Sequence, residues 1–270
     1  MTVLPPKQRV RDSFDRAASS YDAAAVVQRE VCARLLERLA EATAPTQIAG
    51  TAAFGPSTAP HILDAGCGTG YGARLLRERW PQAHITAADF APAMLALARH
   101  HADQCYAADI EALPLPDGAF DFWWSSLSIQ WCDAAAVFAE AARVLRPGGR
   151  LAVSTLAPGT FGELRAAFAG VDRYRHTIAF SEPAAVAAAL SAAGFRAVEL
   201  RRATIAAHYP DLKALLRAVK AIGANAVGDG ARSGMMGRAA WQAVQAAYES
   251  RRTAAGLPAT YDVILCTAEK

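Results

Sequence analysis

The chain has 270 residues, 53% of them hydrophobic and 20% charged, with a formal net charge of +3. This suffices for one substantial core in a single larger α/β-type domain with room for an insertion, and is too weakly basic to imply nucleic acid. Cys32, Cys67, Cys105, Cys132 and Cys266 are odd in number, without a Cys-x-x-Cys pair or a histidine cluster, which argues against a disulfide or zinc scaffold.

In chain order, residues 12–39 carry Phe14, Tyr21, Val26, Val27, Val31, Leu35, Leu36 and Leu39 at helical spacing, and 41–60 reads as a long Ala/Thr/Pro/Gly loop. Strand–helix alternation follows: strand His61–Ala65 and helix 72–80, strand His84–Asp89 and helix Pro92–His101, a short strand Cys105–Ala108, strand Phe120–Ser125 and a helix near 133–145. Arg146-Pro-Gly-Gly predicts a tight turn into strand Arg150–Leu156. Residues 158–180 read as a polar, arginine-bearing excursion, Glu182–Ala193 as a helix stopped by Gly194, and Phe195–Ile205 as a strand. A mostly helical insertion, 208–258, precedes a last strand from Tyr261. The pattern predicts a doubly wound, mostly parallel sheet, with a helical lid inserted before the final strand and lying over the carboxyl edge, where open α/β sheets bind ligands. The opening MTVLPPKQRVRDSF has no apolar leader core, and no run reaches the ~20 apolar residues of a membrane span, so a cytoplasmic location without a membrane partner is expected.

The strongest motif is His61-Ile-Leu-Asp-Ala-Gly-Cys-Gly-Thr-Gly70. Gly66, Gly68 and Gly70 stand between a strand and a helix, where backbone approaches a ligand without a Cβ in the way. The Gly-Lys-Ser/Thr of a Walker loop is absent, and the spacing G-x-G-x-G differs from the G-x-G-x-x-G of a dinucleotide site. Asp64, at the strand end, suits a cationic ligand better than a pyrophosphate. Asp89 ends the second strand 19 positions after Gly70, placed to accept hydrogen bonds from a ribose diol. Asp109 and Ile110 follow the third, where an acid takes an adenine amino proton and an aliphatic packs on the ring; Met94 is expected to join them. Each acid alone also reads as a helix N-cap. Together they fit a phosphate-free nucleoside with a positively charged tail, S-adenosylmethionine.

These residues resemble the class I methyltransferase pattern over roughly 60–155, with 61–156 as the cofactor-binding core. After the fourth strand comes Ser125-Ser-Leu-Ser-Ile-Gln-Trp-Cys132. Ser125 is expected near the methionine end of the cofactor, with Gln130 and Trp131 lining the methyl-transfer cavity; the plainer alternative is Trp131 as core and Gln130 as a solvated helix start.

Arg16-Ala-Ala-Ser-Ser-Tyr-Asp22, the loop 63–70, Asp109-Ile-Glu-Ala-Leu-Pro-Leu115, Trp124–Cys132 and Leu216-Arg-Ala-Val-Lys-Ala-Ile-Gly-Ala224 together carry a more selective resemblance. Over most of its length the chain is similar to the malonyl-acyl-carrier-protein O-methyltransferases of biotin synthesis. Ser126 stands where asparagine is common in that family. The resemblance implies methylation of the free carboxylate of malonyl-acyl-carrier protein, an acidic partner, and an N-terminal helical cover, 12–40, over the cofactor. Tyr21 would then donate a hydrogen bond to the carboxylate oxygen that is not methylated; the alternative is a packing residue.

A carboxylate is ionised at neutral pH, so no general base, nucleophilic dyad or metal is expected. Anion and sulfonium neutralise each other on the way to the transition state, which favours a dry cavity and in-line positioning. Lys213, Arg217 and Lys220 recur at i, i+4 and i+7 on one helical face, a candidate carrier-docking surface, with Arg175, Arg201 and Arg202 as extensions. A solvated helix face explains the same residues. The competing functions are a carboxyl methyltransferase of a small free acid, a quinone-type methyltransferase, and a non-catalytic cofactor-binding partner protein.

Overall fold

A computed structural model describes residues 4–43, 59–224, 234 and 236–270. Most of the loop expected over 41–60 and the middle of the 208–258 insertion therefore lie outside the described residues. The helix expected over 12–39 is two helices, α1 (Lys7–Ala24) and α2 (Val26–Thr43). Ala25 breaks the run: its ψ of 43° leaves the helical range while its N–H still closes onto Tyr21 O. The Arg29 guanidinium reaches back to the Asp22 carbonyl that the break leaves open.

The alternating segment gives β1 (His61–Ala65), α3 (Tyr71–Arg79), β2 (His84–Asp89), α4 (Pro92–Ala98), β3 (Gln104–Ala107), β4 (Phe120–Ser126), α5 (Ala134–Val144) and β5 (Leu145–Leu156). Arg146-Pro-Gly-Gly is not a separate turn. The strand already pairs at Phe120 and Leu145, then shifts register across Gly148, whose φ is +76°. The excursion 158–180 contains a helix, α6 (Gly162–Ala169), which buries Leu164 and Phe168. After α7 (Pro183–Ala192), β6 (Arg196–Tyr209) runs on past the expected end at Ile205 and β7 (Leu257–Glu269) begins before the expected start at Tyr261, with α8 (Leu212–Ala221) and α9 (Arg238–Glu249) between them.

The seven strands form one sheet in the order β3-β2-β1-β4-β5-β7-β6. β7 runs antiparallel to both its neighbours; the other pairings are parallel. Strand alternation sends Ile62, Ile85, Phe122 and Trp124 into the layer that carries α2 and α3, and Leu63, Ala88 and Trp123 into the layer of α5 and α7. With both faces covered, the carboxyl ends of β1, β2 and β4 are left as the place where loops converge on a ligand.

Candidate active site

The loop from β1 to α3 is held in left-handed backbone, with φ of +73° at Gly66, +54° at Gly68 and +89° at Gly70. At Gly66 a Cβ would lie 2.2 Å from Ser128 Oγ, the hydroxyl that donates to the Gly66 carbonyl at 2.9 Å. Gly66 and Gly68 line a cavity at the sheet edge. Gly70 acts differently: it caps α3, and a Cβ there would meet the Ala98 backbone at 2.8 Å, so it seats α3 against α4 rather than facing the ligand. Gly66→Ala combines left-handed strain with this overlap and is expected to destabilise the fold by about 2–4 kcal/mol, measurable by urea unfolding.

The three acids occupy distinct electrostatic settings. Asp64 is 2% exposed, and its Oδ2 has no hydrogen-bond partner. Burial, then the neighbouring Asp89, pushes its carboxyl up to about 7. Trp124, its cross-strand partner, also has an unpartnered buried Nε1, and a Cβ at Gly72 would come within 2.7 Å of that nitrogen and 3.0 Å of Asp64 Oδ2. An orphaned carboxylate oxygen on a cavity wall fits a cationic ligand group, which would satisfy it. Asp89 accepts N–H bonds from Gly68 and Ala91, both at 2.9 Å, and burial lifts it to about 6. Each of its oxygens keeps a second lone pair for a ligand hydroxyl. Asp109 accepts from the Glu111 N–H at 3.0 Å and pairs with Lys7. Asp64, Asp89, Asp109, Ile110 and Met94 line the same cavity.

One expected residue is misplaced by a single position. Ser125 is fully buried, its Oγ has no partner, and it does not line the cavity; Ser126, one pleat farther on, does. Alternation puts Ser126 on the Trp124 face and Ser125 on that of Trp123. The hydroxyls that follow tie the backbone into shape. Leu127 is left-handed (φ 53°), and its N–H donates to Ser154 O at 3.0 Å, while Ser126 and Ser154 hydroxyls lie 3.0 Å apart. The strand thus ends in a strained corner that swings Leu127 and Ser128 into the site. Gln130 lies on a second, adjoining cavity, its amide donating to Leu127 O at 2.6 Å. Trp131 borders both cavities, packed edge-on against Phe14 with centroids 5.8 Å apart.

The wall between the cavities also comes from the N-terminal helices: Phe14, Tyr21 and Gln28 line both. Burial raises the Tyr21 phenol well above its ordinary range, so it is a permanent O–H donor at neutral pH. α1 is fastened by Lys7 to Asp109 and Glu111, by Asp15 accepting the Ala93 N–H (2.9 Å), and by Asp22 accepting from Thr69 Oγ1 (2.7 Å). Of these, only Tyr21 was legible as a site residue. Lys7, Asp22, Gln28 and Arg29 were missed, and their amphipathic helical setting offered no distinguishing signal. α8 presents two faces: Leu216 and Val219 line the second cavity, while Lys213, Arg217 and Lys220 are exposed. Arg175 is exposed on the loop after α6. Arg201 faces Glu41 at 3.7 Å and Arg202 pairs with Asp262, so both are already engaged within the chain.

A family model described as a methyltransferase domain matches residues 63–153. A malonyl-[acyl-carrier protein] O-methyltransferase from Dechloromonas aromatica is 50% identical over 268 residues, covering 98% of this chain and 95% of that one. The chain belongs to that family. A further relative of this malonyl-[acyl-carrier protein] O-methyltransferase family member is a biotin biosynthesis bifunctional protein, BioHC, of Cellvibrio japonicus. It is 38% identical over 96% of this chain and 50% of its own length. In fold, the chain is similar to a solved SAM-dependent methyltransferase from Thermotoga maritima described as a possible histamine N-methyltransferase, with TM-score 0.57 at 16% identity, over 96% of this chain and 99% of that one. The fold is thus the Rossmann-like class I methyltransferase fold. Among the described residues, no helix is long and apolar enough to cross a membrane.

Proposed function

We propose that the protein transfers a methyl group from S-adenosylmethionine to the free carboxylate of malonyl-acyl-carrier protein, forming the methyl ester used in biotin synthesis. The observation that carries the cofactor assignment is the unpartnered Oδ2 of buried Asp64 on the wall of a glycine-lined cavity that also holds Asp89 and Asp109. The relatives' names supply the substrate. When bound, the cofactor supplies an electrophilic methyl on a cationic sulfur. Asp64 would hold the cationic end, Asp89 the ribose hydroxyls, and Asp109 with Ile110 the base. The malonyl carboxylate would lie at the wall shared by the two cavities, where Tyr21 would donate to one oxygen and leave the other free. Trp131, Phe14 and Leu127 keep water from the approach.

We place the carrier on the outer face of α8. Its inner residues, Leu216, Val219 and the following Ile222, roof the second cavity, so a carrier seated on Lys213, Arg217 and Lys220 delivers its thioester arm beside the chamber. Lys213→Glu with Arg217→Glu is expected to raise the KM for malonyl-carrier about tenfold at low salt and to leave malonyl-pantetheine unchanged. Equal KM values for the carrier in both proteins would move docking elsewhere. The reaction rests on one assay: labelled methyl should enter malonyl-carrier and be released by mild alkali, as an ester requires. Transfer to a free dicarboxylic acid instead would favour the small-acid reading.

A further inference from the structure

Among its described lining residues, the second cavity contains aliphatic and aromatic side chains, amides, hydroxyls and one imidazole, His176, with no lysine, arginine, aspartate or glutamate. The imidazole is fixed from two sides. Its Nε2 lies 2.9 Å from Asp172 Oδ1, and its ring stacks on Phe168 with 3.5 Å between centroids and 19° between planes. The Asp172 side chain is 8% exposed and that of His176 17%. A buried carboxylate behind an imidazole sets the ring's orientation and leaves the other nitrogen for a ligand. Methyl transfer to a carboxylate needs no base, so the reaction leaves the chemistry of this dyad unused.

We propose that His176 is the positioning residue for the acyl thioester: with Nε2 held by Asp172, an N–H at Nδ1 donates to the thioester carbonyl oxygen. The inference rests on the malonyl-thioester reading. The carboxylate must lie at the shared wall to meet the methyl, and the thioester carbonyl, separated from it by a single methylene, then falls inside the second cavity. A carbonyl buried there without a donor would be penalised. The Asp172 carboxylate behind the ring fixes the direction of that N–H. It also balances the charge the ring carries when both nitrogens hold protons, so the acyl group is oriented without net positive charge beside the attacking carboxylate.

The test compares two small substrates with the same carboxylate: malonyl-pantetheine, and its thioether counterpart in which a methylene replaces the thioester carbonyl. The wild-type protein is expected to favour the thioester about tenfold in kcat/KM, mostly through KM. His176→Phe keeps the stack on Phe168 and should treat both substrates alike, with affinity for S-adenosylhomocysteine unchanged. His176→Asn, whose amide N–H stands near the former Nδ1, should recover part of the preference. Should the Phe variant fail to fold, Asp172→Asn should show the same loss of discrimination. Retention of the full preference in these variants, or an equal loss on both substrates, overturns the proposal. A wild-type protein that methylates neither malonyl-pantetheine nor malonyl-carrier overturns the functional reading itself, a result visible before any variant is made.

Discussion

Asp64→Asn is expected to weaken S-adenosylmethionine binding about a hundredfold and yet to raise the melting temperature of the ligand-free protein at pH 8. The two effects share one cause. Truncating one partner of a buried charge pair costs about 2–5 kcal/mol, and asparagine keeps the shape while removing the charge. Without ligand, the same charge is a burden. Asp64 sits at about 7 in the folded protein, against roughly 4 in an unfolded chain. The folded state therefore holds a proton that the unfolded state has lost. Stability falls as pH rises from the unfolded value to the folded one, by roughly 1.4 kcal/mol per pH unit. Asparagine escapes this loss, so the variant should melt higher at pH 8 and equal to wild type near pH 4; Asp89, raised to about 6, contributes the same trend to both proteins. Saturating cofactor should reverse the order. Affinity of the wild type should also climb between pH 6 and pH 8, because a cationic ligand prefers the ionised carboxylate. Calorimetry showing equal affinity in both proteins would remove Asp64 from cofactor binding.

Tyr21→Phe should lower kcat by about ten- to a hundredfold while S-adenosylmethionine affinity stays within about twofold. Tyr21 borders both cavities and therefore touches whatever crosses between them. Phenylalanine fills the same volume, so packing against the neighbouring helices is retained. What is lost is the donor that fixes which carboxylate oxygen faces the methyl. Because burial keeps the phenol protonated, the effect should be the same at pH 7 and pH 9. Single-turnover rates with bound cofactor would measure it free of product release, and an unchanged rate would reduce Tyr21 to packing.

Much of this site lies within reach of local sequence logic. Asp64, Asp89 and Asp109 are readable because each lies at or beside the end of a strand, and strand ends are announced by apolar runs meeting glycine or a helix start. Ser125 shows the limit of that logic. Its burial depends on pleat parity, and one residue of phase at the end of β4 exchanged it for Ser126. The missed helix α6 did leave a trace, since Phe161, Leu164 and Phe168 recur at three and four residues, but the surrounding arginines and glycines masked it. His176, Gln28 and Arg29 are illegible for a different reason. Their partners in the site are distant in sequence, and only the folded topology brings the first helices and the loop after α6 to one sheet edge. Gly223, by contrast, acquires its meaning only in three dimensions: a Cβ there would meet Phe14 at 2.9 Å, so the end of α8 is shaped to rest on α1.

The position of β7 carries a consequence for how the molecule is made. β6 has β7 as its sheet neighbour, and β7 lies between β5 and β6. A ribosome extrudes β6 before the strand that must slot between it and the rest of the sheet. Until that insertion occurs, the edge of β5 is bare and Tyr261, which β7 brings to the second cavity, is missing. The nascent protein should thus assemble its nucleoside-binding half early and remain vulnerable to edge-to-edge association along β5 until translation has passed Glu269.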